Sequence, residues 1–174
     1  SKKIFKEYLS FFNNKSIKVI NLNLDMMFGY KDKRFFHNLI QTTFLKNKVM
    51  KMTNGKQKRN ISHVSNVVQQ IFYVINNHYK INKIYLNLGS NFQVTIKEFV
   101  KIISICIKKK TDTSIDNKIL FGQIIRRERE RLENKHISSN FFKNNNYINR
   151  TDYLSDLRRF IEIELEKYCK KIKN

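Results

Sequence analysis

Gly55-Lys56-Gln57-Lys58-Arg59-Asn60-Ile61-Ser62-His63-Val64-Ser65-Asn66-Val67-Val68 opens on a turn and runs into a helix. Asn54-Gly55 is a strong turn signal, because glycine reaches positive φ without steric cost. Ser65 offers an N-cap, and Val68, Ile71, Phe72 and Ile75 recur behind it at helical spacing. On the other side, Val49-Met50-Lys51-Met52 alternates like a short strand. Farther out, residues 17–24 carry Val19, Ile20, Leu22 and Leu24 in a short run and read as a buried strand. Residues 84–88 read as a second, closed by Gly89. Continuous apolar runs of this kind predict a parallel sheet covered on both faces.

Helical spacing returns on either side of these strands. Residues 2–12 place Ile4, Phe5, Tyr8, Leu9 and Phe12 three and four apart, and Asn13-Asn14 ends the pattern. Residues 35–45 do the same through Phe36, Leu39, Ile40 and Phe44. Thr95-Ile96-Lys97-Glu98 is a capping box, in which hydroxyl and carboxylate satisfy each other's orphan backbone donors. It predicts a helix with Phe99, Ile102, Ile103 and Cys106 inward. Residues 108–118 read as a polar loop, 126–131 as a charge run and 140–149 as an Asn-rich loop. Thr151 or Asp152 would cap a last helix running toward Lys171. Strands interleaved with helices argue an α/β fold.

The 174 residues carry 35 Lys and Arg against 14 Asp and Glu, a net charge of +21. Such a balance can mark a nucleic-acid or anionic-membrane partner. Here the chain has no Ala, Pro or Trp and an excess of Lys, Asn, Ile, Phe and Tyr. That bias follows A/T-rich codons, and the lysines are scattered through every predicted element. Codon drift therefore accounts for the charge better than a binding stripe does. No run approaches the roughly 18–20 apolar residues of a membrane helix, and no secretory signal is visible. Cys106 and Cys169 lie far apart and outside any metal or redox spacing, so a reduced, cytoplasmic setting is expected.

The opening stretch resembles the G-x-Q-x-R-D-F-x-H-V-D-D-V-x segment of the extended short-chain dehydrogenase/reductases. These enzymes epimerise, dehydrate or reduce nucleotide-linked sugars. Further segments resemble the family in the same order. Leu24-Asp25-Met26-Met27-Phe28-Gly29-Tyr30 is similar to L-x-N-V-Y-G-P or L-E-H-x-Y-G-P. Asn87-Leu88-Gly89-Ser90 is similar to N-I-G-S-G, and Phe121 to Glu128 to a stretch that carries P-x-R-x-G. Tyr147 and Leu157-Arg158-Arg159-Phe160-Ile161-Glu162 continue the order, and Ser1-Lys2 matches the end of Y-x-x-S-K. The resemblance implies the C-terminal part of a Rossmann-type NAD(P)-binding fold plus the small substrate-binding subdomain. Residues 1–30 would end the Rossmann part. Residues 31–174 would form mostly the substrate-binding part, with 65–90 returning to the sheet.

By the same resemblance, Lys2 would serve catalysis and hold the cofactor. Its ammonium would lower the pKa of a tyrosine one helical turn earlier and bond the nicotinamide ribose. Arg59 would reach the sugar nucleotide's diphosphate, where a planar guanidinium binds two oxygens, and Arg127 would join it. Met26 and Phe28 would border the sugar, although Met26 stands where a polar residue is usual and Tyr30 replaces a proline. Core packing at a strand end accounts for Met26 and Phe28 slightly better than contact with a sugar does. His37, His63, His78 and His136 show no nucleophile, zinc or carboxylate partner in the sequence and read as structural.

The implied cofactor is NAD or NADP and the implied partner a nucleotide-diphosphate sugar. The Gly-rich loop and catalytic tyrosine would come from a missing N-terminal half, without which this portion is expected to be inactive; a homodimer partner is a further expectation. The alternative reading is a small basic nucleic-acid-binding protein, with Lys and Arg on phosphates and aromatic rings on bases.

Overall fold

A computed structural model describes residues 2–12, 17–29, 32, 34–82, 85–90, 93–126 and 153–172. Helix α1 (Lys2–Ser10) leads to strands β1 (Asn21–Leu24) and β2 (Met26–Phe28), then α2 (Phe35–Leu39), which widens into a π-helical turn over Ile40–Leu45. Next come β3 (Met50–Lys51), β4 (Lys58–His63), α3 (Val64–Asn76), β5 (Tyr85–Leu88), β6 (Gln93–Thr95) and α4 (Ile96–Thr111). Strand β7 (Ile119–Leu120) and helix α5 (Tyr153–Ile172) follow. Among the described residues, β1 pairs with β5 and β3 with β7, both parallel. β4 pairs parallel with β2 and antiparallel with β6. The mixed α/β class with parallel pairing is the one the sequence predicts.

The main core lies between the β2-β4-β6 sheet and helices α2, α4 and α5. Phe28, Phe36, Leu39, Ile61, Phe99, Ile103, Ile161 and Leu165 are buried there. A second core joins α3 to the β1-β5 sheet through Val67, Val74, Ile81, Leu86 and Leu88. Its strands depart from the sequence reading. β1 begins only at Asn21, and its side chains are half-buried, with Leu24 exposed. In the register, Leu22 and Leu24 pair with Leu86 and Leu88, while Asn21 and Asn23 pair with Tyr85 and Asn87. Asn23 Nδ2 donates to Asn87 Oδ1 at 3.0 Å, so one face is a polar ladder and the other apolar. Alternation with period two had been masked by the apolar residues before Asn21.

Four local readings change or gain detail. Residues 58–63, unassigned from sequence, form the longest described strand. α3 starts at Val64 with His63 as its N-cap; the ring Nδ1, not the Ser65 side chain, accepts from the Ser65 backbone N–H. α4 opens on the predicted Thr95–Glu98 capping box but continues through Thr111, past the expected loop start at residue 108. Lys109 and Lys110 there reach Glu162 and Glu166 of α5 at 3.1 and 2.6 Å, and lysines favour a helix C-terminus. Finally, α1 exposes Ile4, Phe5, Tyr8 and Phe11. The charge run beyond Arg126, the Asn-rich stretch and Thr151-Asp152 lie outside the described residues.

Candidate functional site

Alternation along β4 sends Arg59, Ile61 and His63 to one face and Lys58, Asn60 and Ser62 to the other. Ile61 and His63 are buried in the main core. Arg59 carries the same face outward to the start of the strand, opposite Val94 of β6, and is partly exposed. Its Nη1 donates to the Lys58 carbonyl at 2.7 Å.

Beside this strand, Met26 pairs in register with Ile61 and Phe28 with His63. Met26 is half-buried against the main core. Phe28 is only 1% exposed, with the rings of Phe36, His63 and Phe99 at 5.1, 5.2 and 5.6 Å. The structure thus brings Met26, Phe28 and Arg59 onto adjacent strands. Lys2 is the first residue of α1, but its side chain lies outside the described residues, as does all of Arg127.

The other face of β4 meets the carboxyl ends of β1 and β5 in a buried polar joint. Asp25 sits where the chain passes from β1 to β2. Its Oδ2 accepts from Ser62 Oγ at 3.0 Å, and Ser62 Oγ accepts from the Ser90 N–H at 2.8 Å. Asn60 Nδ2 donates to the Ser90 carbonyl at 2.9 Å. Gln70 of α3 clamps Gly89, accepting its N–H at 2.7 Å and donating to its carbonyl at 3.2 Å. Gly89 has φ +127, and a Cβ there would overlap the Asp25 carboxylate, so glycine is required for both reasons. Ligands of open α/β sheets bind outside the carboxyl ends of the strands, where this joint lies.

Sequence reasoning missed Asp25, Ser62, Gln70 and Glu164. A single carboxylate inside an apolar run at Asp25, and a Gln on the apolar side of a helix at Gln70, were the available signals. Glu164 carried none, since it sits 101 residues from its partner. It accepts from His63 Nε2 at 2.9 Å while only 1% exposed, so His63 has the carboxylate partner that the sequence did not show. His37 Nδ1 meets Tyr168 Oη at 2.8 Å, tying α2 to α5.

Three titratable groups among the described residues are displaced by their surroundings, and one of them, Glu166, is held below the usual carboxylate range by the hydrogen bond and charge of Lys110. Burial, reinforced by the nearby Glu162 carboxylate, pushes the Cys106 thiol up to about 11. Hydrogen bonds from the Thr95 backbone and hydroxyl hold Glu98 below the usual carboxylate range. Among the described residues no group of His, Cys, Asp and Glu could hold a metal ion, and no helix is long and apolar enough to cross a membrane.

No protein-family model and no curated protein matches the sequence. Solved structures do match. UDP-N-acetylglucosamine 4-epimerase from Methanobrevibacter ruminantium, in complex with UDP-N-acetylmuramic acid, superposes with a TM-score of 0.68 at 12% identity, over 95% of this chain and 51% of that one. UDP-glucuronic acid 4-epimerase from Bacillus cereus, in complex with UDP-glucuronic acid and NAD, gives 0.66 at 18% identity, over 93% and 50%. The dTDP-glucose 4,6-dehydratase of Bacillus anthracis, in complex with NAD, gives 0.64 at 14% identity, over 88% and 47%. The chain therefore has the fold of the extended short-chain dehydrogenase/reductases, the fold that its motifs resemble. It spans about half the length of the solved structures it matches. The nucleic-acid alternative gains no support from these comparisons.

Proposed function

We propose that this chain is the C-terminal, substrate-binding portion of an NAD(P)-dependent nucleotide-sugar epimerase, dehydratase or reductase. The observation that carries the reading is the place of the 55–68 segment. Its motif resembles that family's, and it forms β4 and the start of α3 in a fold shared with UDP-sugar and dTDP-sugar enzymes. Residues 1–30 are assigned to the end of the Rossmann part and 31–174 mostly to the substrate-binding part, with 65–90 returning to the sheet.

Arg59 is assigned to the diphosphate, with Arg127 as its second cation. Its place at the outer end of β4 suits a guanidinium that forks onto two phosphate oxygens. Met26 and Phe28 would shape the sugar side. Lys2 would lower the pKa of the tyrosine that exchanges a proton as hydride moves, and would bond the nicotinamide ribose. The cofactor itself supplies the hydride chemistry when bound.

This chain's residues do not make a dinucleotide cradle. Its four glycines stand at positions 29, 55, 89 and 122, too far apart for a G-x-x-G-x-x-G loop. The pyrophosphate site is accordingly assigned to an N-terminal half, and this portion is expected to be inactive without it. The exposed apolar residues Val68, Phe72 and Ile75 of α3 and Ile4, Phe5 and Tyr8 of α1 are surfaces such a half would cover.

Calorimetry with a UDP-sugar on the complete protein tests the site. Arg59→Ala should weaken binding by about 1.5–3 kcal/mol, the scale of a hydrogen bond to a charged group. Arg59→Lys should rescue only part of it, because an ammonium cannot form the planar fork. Equal affinity in wild type and Arg59→Ala would remove Arg59 from the site.

A further inference from the structure

The His63–Glu164 contact does more than fill the core. His63 Nδ1 accepts from the Ser65 backbone N–H at 3.3 Å and so carries a lone pair. In the neutral ring the proton then sits on Nε2, aimed at Glu164 Oε1 2.9 Å away. Ser65 Oγ, 2.7 Å from Nδ1, is a second donor to the same lone pair. The ring is clamped face-on by Phe160 at 4.3 Å and edge-on by Phe28 at 5.2 Å. The charged groups facing it come from α5. Glu164 is one, Lys167 is bonded to that carboxylate at 2.7 Å, and Arg159 lies over the Phe160 ring at 5.1 Å. β2 and α3 present Phe28 and Ser65.

We propose that His63 is a proton-operated clasp, which holds the start of α3 when neutral and shifts its grip to α5 when it takes a proton at Nδ1. A protonated Nδ1 can no longer accept from the Ser65 N–H, so the cap is lost; only the Ser65 hydroxyl, turned to accept, can stay bonded. The Nε2–H bond to the Glu164 carboxylate becomes an ion pair and tightens. The proton comes from solvent, and no other bond is made or broken.

The first turn of α3 bears on the strand-end turn after β2, because Val64 Cγ1 lies where a Cβ on Gly29 would come within 2.8 Å. Acidification would therefore loosen the turn that follows Met26 and Phe28. That last consequence rests on the nucleotide-sugar reading; the exchange of bonds does not.

Nitrogen-15 NMR of the wild-type protein from pH 8 to pH 5 tests the clasp, together with amide exchange of Ser65 corrected for intrinsic rate. At pH 8 His63 should show a bare Nδ1 and a protonated Nε2. On acidification Ser65 protection should fall at least tenfold, while the His63 Nε2 proton stays protected. His63→Asn caps the helix without titrating, so Ser65 protection in that variant should be flat across the range. An Nδ1–H tautomer at pH 8, unchanged Ser65 protection in wild type, or the same pH response in His63→Asn would overturn the proposal. Absence of nucleotide-sugar binding would sink the functional reading and leave these values unmoved.

Discussion

Gly89→Ala should be among the most damaging single-methyl changes in this protein. The residue sits at φ +127, a region that side-chain-bearing residues occupy only at a cost of about 1–3 kcal/mol. The added methyl would also displace the Asp25 carboxylate from its bond with Ser62 Oγ. Leaving that buried pair unmatched adds about 1–3 kcal/mol. Together these amount to about 2–6 kcal/mol against a typical domain stability of about 5–15. With a urea m-value near 2 kcal/mol/M, the unfolding midpoint should fall by about 1–3 M. Gly122→Ala is the control, since Gly122 has φ +79 but no atom within 4 Å of an added Cβ; it should lose about 1 kcal/mol. If Gly89→Ala melts within about 0.3 M of wild type, or no worse than Gly122→Ala, the account of the joint is wrong.

Three further outcomes follow from particular contacts. Cys106, buried and with its thiol pushed up to about 11, should resist iodoacetamide at pH 8 until the protein unfolds, whereas half-buried Cys169 should label earlier; mass spectrometry of timed samples reads this. Glu98 has a folded pKa below its unfolded value, so its contribution is present above about pH 4.3 and is lost as pH falls through the depressed range. Thr95→Ala should cost about 1 kcal/mol at pH 7 and flatten that acid limb in urea titrations at stepped pH. Phe28→Ala should cost about 3–5 kcal/mol by the same unfolding assay, because the vacated volume is walled by Phe36, Phe99 and His63.

Local signals were legible wherever the residues that decide the structure are neighbours in sequence. The Thr95–Glu98 box and the apolar face of α4 each need only a few residues and stand as read, and Gly55 takes the positive φ that glycine permits. The motif order pointed to the fold that the structural comparisons show. Three features needed the tertiary structure. The Asn23–Asn87 rung made β1 one-sided, since only pairing with a strand 64 residues away distinguishes a polar face from a buried one. His63 is the α3 cap, and not merely a core ring, because the Ser65 backbone N–H donates to its Nδ1 while Glu164 of α5, 101 residues away, meets its Nε2. Asp25, a lone carboxylate in an apolar run, acquired its place from Ser62 and from the empty side of Gly89. Local backbone chemistry is written within a few residues, but the cost of burying a polar group is decided by whichever distant strand or helix brings its partner.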